Sequence, residues 1–530
     1  MSDFIKKSFG LFQKVPSAPT NPQESEGNNK FEIRDLYEGE EKTSLENGKS
    51  GLDEKLRQAY FWITNSAIIS PFYDIEYEDG NSKRIVFGDS KVEVVLPNGQ
   101  SYSSFVLVPL LTLAVRGKCL VVGGPGRGKT ATSILMGLLA GYSKTDVLRA
   151  IQHGQPQMTI SDLLGHPLPA DMVKAEKTSD IRIAWRKWLG MRIKIIDEYN
   201  RIPTRTQSAL LTVLSDNYAE IFDQIFECPP SAWYLTANDD AGGGTYQVIE
   251  ALKDRIDIVI RALHFNTRFI DDLQRRIELN YKPEAMIPEE IIFTEEEMDT
   301  INDQIRNVTL PVAVRKRIEF FCRQFEFFEA ASDKLEYMTK DTAKLSGLDF
   351  KNLFRRETGK DHVKDLGSQT INGMSVRKIM TLIIYAKAMA YFRGNSQVEL
   401  EDVRQILPFI LHDTLVPHLE SPFFDQPGNE SYRVDRIVWL RKVFDLSCEE
   451  FMSQNLDKDD PVETMDAEFK KGLENVSMKE IDKRLLEIEK QLNKWAQEKK
   501  LYGYRLDDIL KLKYLHQRYT NYRRWLQWKK

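Results

Sequence analysis

Two short stretches carry residue types that do chemistry at a fixed spacing. The run Gly123-Gly124-Pro125-Gly126-Arg127-Gly128-Lys129-Thr130, continued by Ala131, fits the pattern GxxxxGK[ST]. Glycines there let successive backbone N–H groups turn toward one anion. A helix opening at Lys129 adds partial positive charge. Lys129 then suits the β- and γ-phosphates of a nucleoside triphosphate, and the Thr130 hydroxyl suits Mg2+. The plainer alternative is a glycine-rich turn that holds nothing. The second stretch is Asp197-Glu198, two adjacent carboxylates behind Ile193, Ile195 and Ile196. Consecutive strand residues point opposite ways, so two roles follow: Asp197 at Mg2+, Glu198 polarising an attacking water. A solvated strand end is the competing reading.

These residues need elements to bring them together. An apolar helix from Phe105, a strand over Lys118–Val122 and a helix over Thr130–Tyr142 bracket the glycine loop. Two further apolar strands are predicted at Arg192–Ile196 and Ala232–Leu235. Apolar strands alternating with helices imply a parallel α/β sheet with its ligands at the strands' C-terminal ends. No further strand is expected beyond about residue 265, where the pattern turns helical. Before the core, Leu52–Ser66 reads as a helix. Tyr73–Tyr77, Lys83–Phe87 and Val92–Leu96 read as a β-meander, separated by Asp79-Gly80-Asn81 and Gly88-Asp89. Residues 1–50 read as a flexible tail with one apolar cluster, Phe4, Ile5, Phe9, Leu11 and Phe12.

With the acidic pair in view, the sequence resembles the MoxR family of AAA+ ATPases. The run Asp197-Glu198-Tyr199-Asn200-Arg201-Ile202-Pro203-Thr204-Arg205-Thr206-Gln207-Ser208-Ala209-Leu210-Leu211 is similar to the family's DEINRAPPKTQSALL. Gly244 to Arg255, GTYQVIEALKDR, resembles GTYPLPEAQLDR, and Gly373-Met374-Ser375-Val376-Arg377 resembles GASPR. Ala386-Lys387-Ala388 and Asp402-Val403 follow, as in the family. The resemblance spans roughly residues 104–418.

The resemblance implies three further roles. Asn238 matches sensor 1, which helps orient the lytic water; it would otherwise cap a turn before Asp239. Arg255 matches an arginine finger that reaches a neighbouring subunit's nucleotide; otherwise it pairs with Asp254 or Asp257 on the surface. Arg377 matches sensor 2, a lid arginine on the γ-phosphate, and would otherwise be an ordinary helix-surface residue. Guanidinium groups suit the charge that phosphoryl transfer gathers on oxygen. Gln157 to Gly165 is similar to the segment that carries the family's helix-2 insert. Arg127 within the loop and Asp239-Asp240-Ala241-Gly242-Gly243 after Asn238 depart from the family pattern, as does a longer lid with a polar loop around Asp333–Asn372.

The resemblance further implies a ring, a hexamer, hydrolysing Mg-ATP to remodel or activate a protein partner with a von Willebrand factor A domain. An alternative from another class is a nucleic-acid-linked motor or defence NTPase working through a basic C-terminal helix. A nucleotide-gated scaffold is a third reading, opposed by the presence of Glu198, Asn238 and Arg255.

That helix belongs to an extension beyond the resemblance. Met478, Ile481, Leu485, Ile488, Leu492 and Trp495 recur at helical spacing behind a Ser477/Glu480 capping box, with Gly503 in the following turn. A second helix carries Leu506 to Leu526, and an antiparallel hairpin follows. It ends in Arg518, Tyr519, Tyr522, Arg523, Arg524, Trp525, Trp528, Lys529 and Lys530. The expectation is one buried aromatic face and a basic last turn, with nucleic acid not expected as a partner.

The whole chain sets bounds on these readings. At 530 residues it exceeds one core. The expected division is a tail over 1–50, a small mixed β/α region over 51–103, a nucleotide-binding core over 104–265, a helical lid over 266–418 and a helical extension over 419–530. Lys plus Arg is 74 against 79 Asp plus Glu, a net charge of −5 that makes no whole-chain case for nucleic acid. Cys119, Cys228, Cys322 and Cys448 are scattered, which opposes a zinc site or a disulfide framework and fits a reducing compartment. The longest apolar run, Phe105 to Val115, is too short to cross a bilayer. The N-terminus lacks the apolar segment of a signal peptide. A cytoplasmic protein without membrane insertion is expected.

Overall fold

The structure, a computed structural model, describes residues 51–78, 82–88, 92–177, 180–238, 248–329, 334–347, 365–474, 476–498 and 500–528. The chain divides into two units, Met1–Lys49 and Ser50–Lys530, and the first lies wholly outside the described residues, with the apolar cluster at Phe4–Phe12.

At the centre is a five-stranded parallel sheet. Its strands are β1 (Lys118–Val122), β2 (Gln152–His153), β3 (Ile193–Asp197), β4 (Ala232–Ala237) and β5 (Ile258–Arg261), in the order β5-β1-β4-β3-β2. Side chains alternate between its faces, as a strand's period of two requires. Cys119, Val121, Ile193, Ile195, Tyr234, Ile258 and Ile260 enter one core, and Leu120, Ile196, Trp233, Leu235 and Val259 the other. Both faces are covered, so the strands read as continuous apolar runs.

The first core is filled by α1 (Ser104–Val115), α2 (Lys129–Leu139) and helices beyond the sheet. α1 is buried all round, and Tyr234 donates its hydroxyl to the Pro109 carbonyl at 2.9 Å. α1 ends at a left-handed Arg116, and at Gly117 a Cβ would stand 2.3 Å from the Tyr385 hydroxyl, which leaves room only for glycine. The second core packs α3 (Thr204–Asp216) and α4 (Glu250–Arg255) against the sheet.

Between β2 and β3 the chain forms the helix Ile160–Leu164 and an antiparallel ribbon, Gly165–Pro167 with Ile183–Trp185. A hairpin, Tyr218–Ile221 with Gln224–Glu227, follows α3. Gln224 Nε2 donates to the Ile181 carbonyl at 2.5 Å, and the Trp185 and Phe226 rings lie 5.5 Å apart, so ribbon and hairpin are joined.

Past the sheet the described residues are helical, with only isolated bridges. α5 (Glu295–Asn307), α6 (Val312–Cys322), α7 (Val376–Phe392) and α8 (Leu400–Leu411) close over the first core, and α9 (Arg436–Ser453) packs on α8 and α6. Much of the polar stretch at Asp333–Asn372 lies outside the described residues.

Four local expectations need correction. The meander is not one sheet: Ile75–Glu76 pairs with Ser101–Tyr102, while Lys83–Phe87 and Val92–Leu96 form a separate hairpin. The turn at Asp79–Asn81 lies outside the described residues. The C-terminal hairpin, α11 (Met478–Ala496) and α12 (Gly503–Trp528), gains α10 (Pro461–Lys470) as a third helix, because Val462, Met465 and Phe469 complete its apolar core. Gly503 does not sit in the turn but opens α12, where a Cβ would stand 2.2 Å from the Gln324 carbonyl oxygen. Of the capping box, Ser477 accepts from the Glu480 amide at 3.3 Å, and the return bond is absent among the described residues.

Candidate nucleotide site

β1 delivers the glycine loop to the sheet's C-terminal edge. A Cβ on Gly123 would lie 2.7 Å from the Ala262 carbonyl oxygen, so the loop passes closely over the end of β5. Gly126 and Gly128 have φ of +75° and +76°, and open space surrounds the place a Cβ would take. Gly128 caps α2 with no side-chain acceptor, leaving the first N–H groups of the helix for a ligand. Lys129 is buried and donates to the Gly123 carbonyl at 2.6 Å, the Gly124 carbonyl at 2.8 Å and Asn238 Oδ1 at 2.8 Å. Arg127 folds over Gly124 and donates to the Ala262 carbonyl at 3.1 Å. Pro125 and Ala131 lie in the loop and the first turn of α2.

The acidic pair meets this loop directly. Thr130 donates to Asp197 Oδ1 at 2.8 Å, and Thr236, on β4, donates to the same oxygen at 2.6 Å. His153 Nδ1 stands 3.4 Å from Asp197 Oδ2. Glu198 leaves the strand in a left-handed conformation, φ +55°, which costs a non-glycine residue on the order of 1 kcal/mol. Its N–H donates to Thr236 Oγ1 at 2.9 Å. Its carboxylate accepts from Asn238 Nδ2 at 2.7 Å and lies 3.2 Å from Arg201 Nε. Gly154 is required alongside, since a Cβ there would lie 2.2 Å from the Glu198 carbonyl oxygen.

One hydrogen-bonded chain thus runs from Lys129 through Asn238 to Glu198, and a second joins Thr130, Asp197 and Thr236. Oxygen donors converge at Thr130 and Asp197, the ligand type Mg2+ takes. Thr236, His153 and Gly154 belong to the site although no motif marks them, and Arg201 joins it from within the Asp197–Leu211 run, where no role is assigned to it. The only signal for Thr236 was a hydroxyl two residues before Asn238.

Arg255 and Arg377 are placed elsewhere. Arg255 donates to Ser215 Oγ of α3 and to the Ala251 carbonyl at 3.0 Å. Arg377, at the start of α7, pairs with Asp254, whose other oxygen accepts from Ser375 at 2.7 Å. Asp257 accepts from the Lys118 amide at 2.8 Å and from Thr381 at 3.1 Å. Both acids flanking Arg255 are therefore engaged by other donors. Among the described residues neither arginine bonds to the glycine loop. The Gly244–Gln247 part of its motif, and Asp239–Gly243, lie outside the described residues. Gln207, buried, bridges the motif segments by accepting from the Ile249 amide at 3.3 Å and donating to the Ile202 carbonyl at 2.9 Å.

A five-stranded parallel sheet in this order, a glycine loop between β1 and α2, and the helices beyond the sheet are consistent with a P-loop α/β core of the AAA+ kind. No protein-family model matches the chain, and no curated protein matches it. Among solved structures, the chain is similar to one described as "a putative ATPase from Cytophaga hutchinsonii", at 20% identity and a TM-score of 0.43, covering 64% of this chain and 89% of that one.

Proposed function

We propose that this chain is a MoxR-like AAA+ ATPase that hydrolyses Mg-ATP in a ring of identical subunits, a hexamer, to remodel or activate a protein partner bearing a von Willebrand factor A domain. The observation that carries the hydrolytic part is the paired network at one sheet edge, Lys129–Asn238–Glu198 beside Thr130–Asp197–Thr236. The open, left-handed Gly126 and Gly128 fit a phosphate chain. Thr130 and Asp197 fit Mg2+, which would neutralise charge on the β- and γ-phosphate oxygens.

Lys129 exchanges its contacts with the Gly123 and Gly124 carbonyls for phosphate oxygens. Glu198, oriented by Asn238 and Arg201, accepts from water and polarises it toward the γ-phosphorus. The ring is supported by Arg255, which lies away from its own loop and suits a neighbour's nucleotide. The hexamer and the partner follow from the family resemblance. The compartment is proposed as cytoplasmic; no described helix is long and apolar enough to cross a membrane.

The test is a pair of variants. Glu198→Gln retains ATP binding by calorimetry and loses turnover by about 100-fold or more in phosphate release. Near-normal turnover would show that another group orients the water. Lys129→Ala abolishes binding, and unchanged affinity would refute the assignment of the loop.

A further inference from the structure

α12 is divided by charge and by what it buries. From Ile509 to Trp528 it contains no acidic residue, while Lys511, Lys513, Arg518, Arg523 and Arg524 are all cationic. Its inner face holds Leu512, Leu515 and Tyr519, packed on Ile481, Leu485 and Ile488 of α11, with Tyr522 and Leu526 partly covered. The expected burial of the aromatic face holds for Tyr519 and fails for the tryptophans. Trp525 is 46% exposed, Trp528 84% and Tyr514 46%. With Arg518 between them, these residues are spaced by four, seven and three, which keeps them on one side of a helix. At about 1.5 Å rise per residue, Tyr514, Arg518 and Trp525 follow one another at steps of about 6 and 10 Å.

The cations of this helix are not all neutralised within the fold. Lys511 pairs with Asp466 at 2.8 Å, Arg523 with Asp482 at 3.1 Å, and Lys513 with Glu336. Arg518 and Arg524 have no ion pair among the described residues. Arg518 instead lies over the Phe469 ring, 5.9 Å from its centroid. Trp525 already stacks on Tyr522, with centroids 5.5 Å apart and planes 25° from parallel.

We propose that this face of α12 binds single-stranded nucleic acid. Bases stack on Trp525, Trp528 and Tyr514, and phosphates meet Arg518 and Arg524. Flat rings alternating with guanidinium groups suit a chain of flat bases joined by anions, and the stacking requires no particular sequence. A lipid surface is disfavoured because Gln517 and Asn521 interrupt the stripe with polar groups. With a net charge of −5 the chain as a whole does not attract a polyanion, so the attraction has to come from a local patch such as this one.

The test uses the full-length chain with fluorescein-labelled oligo(dT) and oligo(rU), read by anisotropy and by tryptophan emission across a salt series. Binding to either oligonucleotide, with quenched emission, is expected. Trp525→Ala/Trp528→Ala weakens it by about tenfold or more, since each stacked base contributes about 1–3 kcal/mol. Arg518→Glu/Arg524→Glu weakens it and flattens the logarithmic salt slope by about 1.4, about 0.7 for each lost phosphate contact. Basal ATP turnover stays unchanged in both, because none of the four residues bonds to the loop network among the described residues. Absence of binding overturns the proposal, as does undiminished affinity in the tryptophan variant. Capture of phosphatidylserine vesicles without capture of either oligonucleotide overturns it in favour of a membrane surface.

Discussion

Thr236 holds the acidic pair in place from the next strand. Its hydroxyl donates to Asp197 and accepts from the Glu198 amide, so one side chain fixes both a carboxylate orientation and a left-handed turn. Thr236→Val keeps the shape and removes both bonds. The Glu198 amide is then left without its acceptor, at a cost of about 1–3 kcal/mol in unfolding free energy. With Asp197 less constrained, half-maximal turnover shifts to higher Mg2+ concentration. Thermal unfolding and a Mg2+ titration of phosphate release check the two effects separately, and unchanged Mg2+ dependence would place Thr236 outside the site. The glycine loop and Asp197-Glu198 were legible because each is contiguous in sequence. Thr236 and His153 were not, since their role depends on the register that sets Leu235 beside Ile196 and His153 beside Asp197.

Among the elements, β3 carries a buried ammonium where an apolar strand is expected to carry none. Lys194 is 1% exposed, and its ammonium donates to the Met191 carbonyl at 2.7 Å and to Ser231 Oγ at 2.6 Å, beneath the Trp233 ring. Burial pushes it down to about 8. The folded chain therefore releases this proton at about pH 8 and the unfolded chain near 10.5. Between those values the unfolded state binds more protons, so stability rises with pH. Lys194→Met removes that dependence. The stability of the native chain relative to the variant is expected to climb between pH 7 and 10, by on the order of 3 kcal/mol. Denaturant unfolding across that range checks it, and a constant difference would mean that the ammonium stays solvated. The apolar runs of β1, β3 and β4 were readable, because strands buried on both faces lose their alternation. The two-residue β2 and the four-residue β5 were too short to stand out, so the full strand order emerges only from the structure.

For the molecule as a whole, the placement of Arg255 decides whether one chain suffices. Arg255→Ala leaves ATP binding intact and abolishes hydrolysis if the group acts on a neighbour. Mixing it with Glu198→Gln creates interfaces with an intact glutamate on one side and an intact arginine on the other. Turnover is expected to reappear at those interfaces, with phosphate release as the readout. Turnover per subunit also falls on dilution below the assembly range, whereas full activity in a strictly monomeric population would remove the ring from the mechanism. The core and lid were legible through ordered motifs. The C-terminal three-helix bundle was only partly so, since α10 joins it across a chain segment with no periodic link to the hairpin.

Arg255 is anchored to Ser215, one residue before α3 ends at Asp216, and the hairpin Tyr218–Ile221/Gln224–Glu227 springs from that same terminus. The hairpin is in turn fastened to the ribbon between β2 and β3 through Gln224. Any load borne by that guanidinium would therefore reach the hairpin and the ribbon through Ser215 and the end of α3.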